Sequence, residues 1–192
     1  MSGEDRRKQI VETAIDVILQ KGLAQAATRD VTRALGVGSG LLHHYFPSWA
    51  ELRAEAVRLA ATREIEAVKA LVEGVPACEA LERVADWMVD DEDMQHWRLW
   101  LNALDEAHRD DLLAEVMNAA LLDWHRMIAG LLVRLGEERG ATTSNADDAA
   151  WRVTALMDGL ASAMLVKGSA MTARTARVLL KQQLRLDCGR QV

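Results

Sequence analysis

The stretch that decides the fold reads Gly36-Val37-Gly38-Ser39-Gly40-Leu41-Leu42-His43-His44-Tyr45-Phe46-Pro47-Ser48. Its glycines permit a sharp reversal of the chain between two helices. Pro47 cannot continue the short helix that precedes it. The stretch therefore predicts the second half of a helix-turn-helix, with its second helix over residues 39–46.

A helical wheel divides residues 39–46 into an inner and an outer side. Leu42 and Phe46 lie together on the inner side, where they can pack against the preceding helix. The outer side consists of Gly40, Leu41, His43 and His44. Glycine inside a helix costs about 1 kcal/mol relative to alanine. Gly40 therefore indicates either close approach to a DNA strand or a tight crossing of two helices.

Two further helices are predicted before this stretch. Apolar residues at helical spacing predict the first over residues 5–21, and Gly22 ends it. Thr28 is interpreted as the N-cap of a second, short helix that runs to about Leu35 and buries Val31. Together with residues 39–46, they predict a compact three-helix head.

The rest of the chain also has helical patterns. Ser48 and Glu51 have capping-box spacing and begin a long helix that runs to about Glu73, before Gly74-Val75-Pro76. Further helices are predicted over 77–90, from about 94, and over 110–135, 147–167 and 173–186, with Thr172 as the last N-cap. The polar segment 137–148 is interpreted as a mobile loop.

Composition narrows the class of protein. Half of the 192 residues are hydrophobic, with one phenylalanine and two prolines, which favours an all-α protein with a real core. No apolar run is long enough for a membrane span, and no signal-peptide core is visible. Cys78 and Cys188 lack the spacing of a disulfide framework or zinc site, so we expect a cytoplasmic protein.

Charge is unevenly distributed along the chain. The net charge is −6, yet residues 1–46 carry six cations against five anions. The predicted helix over 39–46 has no lysine or arginine. Attraction to phosphates would have to come from flanking cations, namely Arg6, Arg7, Lys8, Arg29 and Arg33. The same cations could also be ordinary solvated charges.

Residues 6–52 resemble the TetR family of bacterial transcription regulators. The positions that carry the resemblance are Ile10, Ala14, Gly22, Thr28-Arg29-Asp30-Val31, Gly36-Val37, Gly40, Leu42, Tyr45-Phe46, Ser48 and Leu52. The resemblance implies a homodimer with one helix-turn-helix per subunit, a helical effector-binding body and double-stranded operator DNA as partner. The candidate DNA-binding residues are Thr28, Arg29, Gly38, Ser39, Gly40, Leu41, His43, His44, Tyr45 and Trp49.

Three of these positions depart from the family pattern. The serine that usually opens the recognition helix is Gly38, the customary phosphate-binding tyrosine is His43, and the lysine at the start of the fourth helix is Trp49. Leu41 is expected to contact a thymine methyl group, and His44 a base edge. The departures concern DNA affinity rather than the fold.

The last two predicted helices carry more apolar surface than a monomeric hairpin needs. In the family such helices form a four-helix bundle between two subunits, and the candidate dimerisation residues are Leu156, Leu160, Ala163, Val178 and Leu179. Simple core packing is the alternative. Asp158-Gly159-Leu160 and Trp97-Arg98-Leu99-Trp100 further resemble the branch typified by the betaine-inhibitor repressor.

Five of the six tryptophans lie beyond residue 80, in an acidic background. Tryptophan faces bind organic cations, which suggests a quaternary ammonium or polyamine effector. The candidate effector-binding residues are Trp97, Trp100, Trp124, Met127, Trp151 and Asp158. Core packing of these tryptophans and a neutral, flat effector are the alternatives.

No motif for an enzyme, a metal site or a cofactor is recognised. We therefore predict an all-α, TetR-like protein with a helix-turn-helix domain over 1–50 and an effector-binding and dimerisation domain over 51–192. Its predicted function is a ligand-responsive regulator, a repressor that binds a palindromic operator as a homodimer and is released by a small molecule. The alternative is a helical adaptor dimer that binds protein rather than DNA.

Overall fold

The computed structural model describes residues 2–90, 94–140 and 145–189. Within these ranges the chain forms nine helices and no strand, which confirms the all-α prediction. The helices are α1 Gly3–Lys21, α2 Thr28–Leu35, α3 Ser39–Tyr45, α4 Trp49–Val72, α5 Ala77–Trp87, α6 Gln95–Glu106, α7 Asp111–Glu138, α8 Ala146–Leu165 and α9 Ala173–Gly189.

The chain divides into two compact units. The first comprises Met1–Arg63 and Arg98–Ala120, and the second comprises Glu64–Trp97 and Leu121–Val192. Helices α4, α6 and α7 therefore contribute residues to both units. The predicted division between residues 50 and 51 falls inside the first unit, because the beginning of α4 packs with that unit.

The first unit contains the three-helix head and the beginning of α4. The core of the head and the beginning of α4 is built from apolar side chains, among them Ile10, Ala14, Ile18, Val31, Leu42, Phe46 and Leu52. Two ion pairs also join α1 to α4, from Arg7 to Glu55 and from Arg63 to Glu12. The head is thus held by burial of apolar surface, with polar contacts at its edge.

The second unit is a helical body in which α9 packs against α5 and α8. Its buried residues include Leu81, Val84, Met88, Ile128, Val153, Leu160, Ala176 and Leu180. Asp86 on α5 accepts ion pairs from Arg177 and Lys181 on α9, at 3.1 and 2.9 Å. These contacts cover one side of α9 and leave its opposite side exposed.

Several predicted boundaries need correction. Thr28 is not an N-cap: Ala27 occupies that position, and Thr28 is the first residue of α2. The helix predicted over 77–90 ends at Trp87. Glu137 and Glu138 continue α7, and Asp147 and Asp148 lie in the first turn of α8, which begins at Ala146, because helical structure extends into both sides of the polar segment. The centre of that segment, 141–144, lies outside the described residues.

Other local predictions are confirmed. Ser48 Oγ accepts the Glu51 backbone N–H at 3.2 Å, and Thr172 Oγ1 accepts the Thr175 N–H at 3.1 Å. Cys78 is exposed and free, whereas the side chain of Cys188 lies outside the described residues. No described helix has the length and apolar character needed to span a lipid bilayer.

Candidate functional site

Helix α3 has one buried and one open side. Leu42 and Phe46 are 2% and 4% exposed, so the inner side predicted from the wheel is confirmed. Gly38 is the N-cap, with extended backbone dihedral angles. On the outer side, Gly40, His43 and His44 are exposed and Leu41 is half-buried, and Ser39 at the start of the helix is also exposed. The outer side is therefore accessible to a partner molecule.

Gly40 has no packing role within the described chain. A Cβ atom built at Gly40 would have no neighbour within 4 Å. The alternative in which Gly40 eases a tight crossing of two helices is therefore wrong for the described residues. Since glycine weakens a helix, its presence here is compatible with close approach of an external molecule.

The beginning of α2 is organised by the buried carboxylate of Asp30. Asp30 Oδ2 accepts the Ala27 backbone N–H at 3.1 Å, and Lys21 Nζ lies 2.5 Å from Oδ1. The hydrogen bond from Lys21 lowers the pKa of the Asp30 carboxyl. Lys21 thereby compensates the negative charge of Asp30. The positive end of the helix dipole at the first turn of α2 therefore still attracts anions. In this turn Thr28 is half-buried and Arg29 is exposed.

The cations of the head have different environments. Arg7 Nη1 lies 3.0 Å from Glu55 Oε1, and its guanidinium carbon lies 4.7 Å from the Phe46 ring centroid. Arg7 therefore ties the end of α3 to α1 and α4. Lys8, Arg29 and Arg33 are exposed, as Arg7 itself is. Arg33 Nη1 lies 3.9 Å from Asp30 Oδ1, but 76% of its side chain is exposed, so its charge is accessible to a phosphate. The sequence alone could not distinguish cations that pair within the head from cations that could contact phosphates, because both kinds occur at similar spacing.

A second candidate site is a cluster of aromatic rings in the second unit, formed by Trp87, His96, Trp97 and Trp124. The Trp87 ring centroid lies 5.1 Å from that of Trp124, 6.3 Å from that of Trp97 and 4.9 Å from that of His96. Trp97 donates its indole N–H to the Met88 carbonyl at 2.9 Å. Trp97 and Trp124 are buried and Trp87 is half-buried. We call this group the aromatic cluster.

A third feature is an exposed surface on α8 and α9. On α8, residues spaced by three or four positions form an exposed stripe, consisting of Trp151, Ala155, Gly159 and Ser162, and it continues into the exposed Val166 that caps the helix. On α9, Val178, Leu179 and Leu186 are exposed by 56%, 39% and 50%. A Cβ atom at Gly159 would have no neighbour within 4 Å. We call these residues the α8/α9 face.

Two protein-family models match this chain, one at each end. Residues 10–56 match the model of the bacterial regulatory proteins of the tetR family. Residues 76–186 match that of the C-terminal domain of BetI-type transcriptional repressors. The chain belongs to the TetR family. The regulator therefore has a TetR-type DNA-binding domain and a BetI-like C-terminal domain.

Relatives along most of the chain are also transcriptional regulators. The regulator is 29% identical to PksA of Bacillus subtilis (strain 168), over 93% of this chain and 88% of PksA. It is 30% identical to BetI of Rhizobium meliloti (strain 1021), over 81% of this chain and 75% of BetI. A transcriptional regulator from Saccharomonospora viridis, crystallised with choline, superposes with a TM-score of 0.84 at 24% identity. That superposition covers 95% of this chain and 96% of the other.

The candidate effector residues are only partly brought together. Trp97 and Trp124 lie in the aromatic cluster, whereas Trp100 belongs to the first unit. Trp151 stacks on His125 with centroids 4.3 Å apart. Met127 and Asp158 are half-buried on α7 and α8. No ring contact between Trp151 and the cluster is recorded among the described residues.

Sequence reasoning missed the central member of the aromatic cluster, Trp87, which was not among the candidate effector residues. Its neighbour His96 was not a candidate either. The two come from different helices, α5 and α6. Their proximity depends on how α5 and α6 pack, and helical periodicity contains no information about that packing.

The candidate dimerisation residues are also only partly brought together. Val178 and Leu179 lie on the exposed α8/α9 face, whereas Leu160 is 5% exposed and buried within its own chain. Leu156 and Ala163 are half-buried. Within the described ranges, no group of three or more His, Cys, Asp or Glu side chains is arranged to hold a metal ion.

Proposed function

We propose that this regulator is a homodimeric repressor that binds an inverted-repeat operator and leaves it when an organic cation binds the body. The observation that carries the DNA-binding part is the outer side of α3, where Gly40 lacks any packing role in the described chain. A helix with small, exposed residues on one side can lie close to the base edges of a major groove.

The proposed DNA contacts are divided between two helices. Thr28 and Arg29 contact phosphates at the beginning of α2, where helix N–H groups favour anions. Gly38, Ser39, Gly40, Leu41, His43, His44, Tyr45 and Trp49 lie in or beside the groove. Because His43 and Trp49 replace the family's tyrosine and lysine, Arg29, Arg33 and Lys8 supply most of the positive charge.

The α8/α9 face supports the dimer. Three large apolar side chains of α9 are exposed in the single chain, and the α8 part of the face adds the exposed Trp151 together with small residues such as Ala155 and Gly159. Burial of such a surface against a second copy stabilises a dimer. Two rigidly joined heads would read two half-sites on one face of the DNA.

An organic cation is the proposed effector, and choline is the first compound to test, since a structurally similar regulator was crystallised with it. Trp faces attract quaternary ammonium groups. The centroid separations of 5.1 and 6.3 Å mean that the Trp87 ring touches the rings of Trp124 and Trp97. A cation can therefore be enclosed only if a ring moves, and the half-buried Trp87 is the ring we expect to move.

DNA binding is tested by fluorescence anisotropy with DNA from upstream of the regulator's own gene, and with a randomised pool for selection. A repressor should bind selected DNA with an affinity that falls steeply between two salt concentrations. If neither DNA source gives binding above that of random sequence, the repressor is contradicted and the protein-binding adaptor gains support.

Effector binding is tested by titrating choline, with its neutral carbon analogue 3,3-dimethylbutan-1-ol as control. Choline should quench tryptophan fluorescence and release DNA, whereas the neutral alcohol should do neither. Trp87→Phe should weaken choline binding, while Trp151→Phe, outside the aromatic cluster, should not. Equal responses to both compounds would favour a neutral effector.

A further inference from the structure

Helix α3 contains no lysine or arginine, so its two histidines are the side chains that can give it positive charge. His43 and His44 both lie in the last turn of α3, and both are exposed. The His44 ring meets the Tyr45 ring edge to face, with centroids 5.1 Å apart. Among the described residues, neither imidazole has a hydrogen bond or an ion pair. The ring nitrogens of both histidines are therefore open to an outside partner.

The two histidines point in different directions from the helix axis. Successive residues of an α-helix are about 100° apart, so His43 lies on the flank of α3, between the buried Leu42 and the exposed His44. His44 shares the outward side with Gly40, four residues earlier. When a helix lies in the major groove, its outward side meets base edges and its flanks lie beside the phosphates of the groove walls. His43 is thus placed for a phosphate.

Helix α2 packs against α3 and offers no free carboxylate to an imidazole. Its charged residues are Arg29, Asp30 and Arg33. The Asp30 carboxylate is buried and pairs with Lys21 at 2.5 Å. Arg29 and Arg33 are exposed cations, and a like charge nearby disfavours the protonated form of a histidine. The charges of α2 therefore favour a neutral His43 in the free protein.

Helices α1 and α4 hold their nearest charges in pairs. Arg7 on α1 lies over the Phe46 ring, with its guanidinium carbon 4.7 Å from the centroid, and it pairs with Glu55 on α4 at 3.0 Å. Glu51, in the first turn of α4, lies 3.3 Å from the Ser48 hydroxyl. In the described part of the chain, none of these groups pairs with an imidazole of α3.

The beginning of α1 comes close to α3 at Tyr45. A Cβ atom added to Gly3 would lie 4.0 Å from the Tyr45 hydroxyl. The neighbouring carboxylates are those of Glu4 and Asp5, and Asp5 is engaged with Ser2 in the capping box of α1. Ordinary carboxylates titrate near pH 4 and ordinary imidazoles near pH 6.5, to about one unit. A change in DNA affinity between about pH 8 and pH 6 would therefore come from histidines rather than from these carboxylates.

A DNA phosphate reverses the preference of an exposed imidazole. Its negative charge favours the protonated ring, which can then donate a charge-assisted hydrogen bond. If the ring is mostly neutral in the free protein, DNA binding takes up a proton. By linkage, the DNA affinity then rises as the pH falls. A lysine or arginine at the same position would keep its charge throughout and show no such dependence.

We propose that His43 binds an operator phosphate as an imidazolium, so that operator binding takes up a proton and strengthens as the pH falls. This inference rests on the proposed DNA-binding function and specifies the charge state of one contact. His44, on the outward side of α3, meets a base edge instead.

The test compares variants that differ in charge at one position. His43→Gln keeps a neutral hydrogen-bonding side chain that cannot take up a proton, whereas His43→Arg carries a permanent charge. His44→Gln is the matched variant in the same helix. His108→Gln is the control for loss of an exposed histidine outside the helix-turn-helix, in the same compact unit. Circular dichroism at both pH values establishes that each variant is folded.

The first readout is the anisotropy of selected DNA at about pH 8 and pH 6, at equal ionic strength. The wild type should bind about 3- to 30-fold more tightly at the lower pH, since each proton taken up contributes at most about tenfold per pH unit. Its slope of log affinity against log salt should also be steeper there, by up to about 0.9. His43→Gln should lose most of both effects, while His44→Gln and His108→Gln should retain them.

The permanent charge of His43→Arg makes a separate prediction. This variant should bind tightly and with the steeper salt slope at both pH values, which a merely structural role of His43 would not produce. The second readout needs no variant: calorimetric titration of the wild type with selected DNA, in two buffers of different ionisation enthalpy, should show net proton uptake.

Selected DNA that binds the wild type without proton uptake and with equal affinity at both pH values would overturn the inference and leave the proposed DNA binding intact. The same holds if His43→Gln keeps the full pH dependence. Absence of binding to selected DNA at both pH values would instead contradict the proposed function itself.

Discussion

The ammonium nitrogen of Lys21, the last residue of α1, lies 2.5 Å from Oδ1 of Asp30 in the first turn of α2. The other carboxylate oxygen of Asp30 accepts the Ala27 N–H at the N-cap. One buried carboxylate thus joins α1 to α2 and completes the end of α2. The position of Thr28 and Arg29 depends on this contact.

Acidification should destabilise the head through Asp30. Its pKa is lowered in the folded protein, chiefly by the hydrogen bond from Lys21. The pair therefore contributes stability at pH values above the unfolded pKa of about 3.9, and this contribution is lost as the pH falls through the lower, folded pKa. Asp30→Asn should have a lower melting temperature than the wild type at pH 6, and the difference should shrink as the pH falls below the unfolded pKa and through the lower, folded pKa. Thermal unfolding followed by circular dichroism at several pH values measures this difference in melting temperature. A difference that does not change with pH would contradict the stabilising role of the Asp30 charge.

Gly40→Ala should stabilise the protein and weaken DNA binding. The new methyl group meets nothing within 4 Å in the described chain, so the helix should gain up to about 1 kcal/mol in the free energy of unfolding. Gly130→Ala is the matched control, since Gly130 lies on α7 and its added Cβ atom also meets nothing. Urea unfolding and DNA anisotropy measure both variants. Unchanged DNA affinity in Gly40→Ala would exclude close approach at this residue.

Arg29 and Arg7 should differ in how they affect the salt dependence of DNA binding. Arg29→Met should reduce the slope of log affinity against log salt by about 1, since one phosphate contact is lost. Arg7→Met should leave the slope unchanged, because Arg7 pairs with Glu55 and lies over Phe46. The Arg7→Met substitution should instead lower the free energy of unfolding by about 1 kcal/mol. A smaller slope in Arg7→Met would place a phosphate at Arg7.

Val178→Asp should dissociate the dimer and reduce operator affinity together. Val178 is 56% exposed on the α8/α9 face, where a second copy would bury the new carboxylate at a cost of several kcal/mol. Val133→Asp on α7, at a residue 43% exposed, is the control for adding a charge elsewhere. Sedimentation velocity gives the oligomeric state. A dimer that survives in Val178→Asp would mean that another surface joins the subunits.

Much of the DNA-binding head was predictable because its signals are local. The turn at Gly36, the Ser48 cap and the apolar spacing of α1 and α3 each depend on neighbouring residues, and helical geometry converts that spacing directly into a buried side. The placement of Thr28 was wrong because its N-cap signal was weighed without Asp30. The carboxylate of Asp30 reaches back to Ala27 and moves the cap by one residue.

The sequence by itself determined the all-α class, the family and the residues exposed on α3, since these follow from spacing along single helices. Only the tertiary structure decided that Arg7 pairs with Glu55 and lies over the Phe46 ring, and that Trp87 is the centre of an aromatic cluster without Trp151. It alone also brought Arg53 to Glu106 and Asp110, more than 50 residues away. These are contacts between distant helices. Their geometry depends on how side chains of several helices pack together, and no single stretch of sequence encodes that packing.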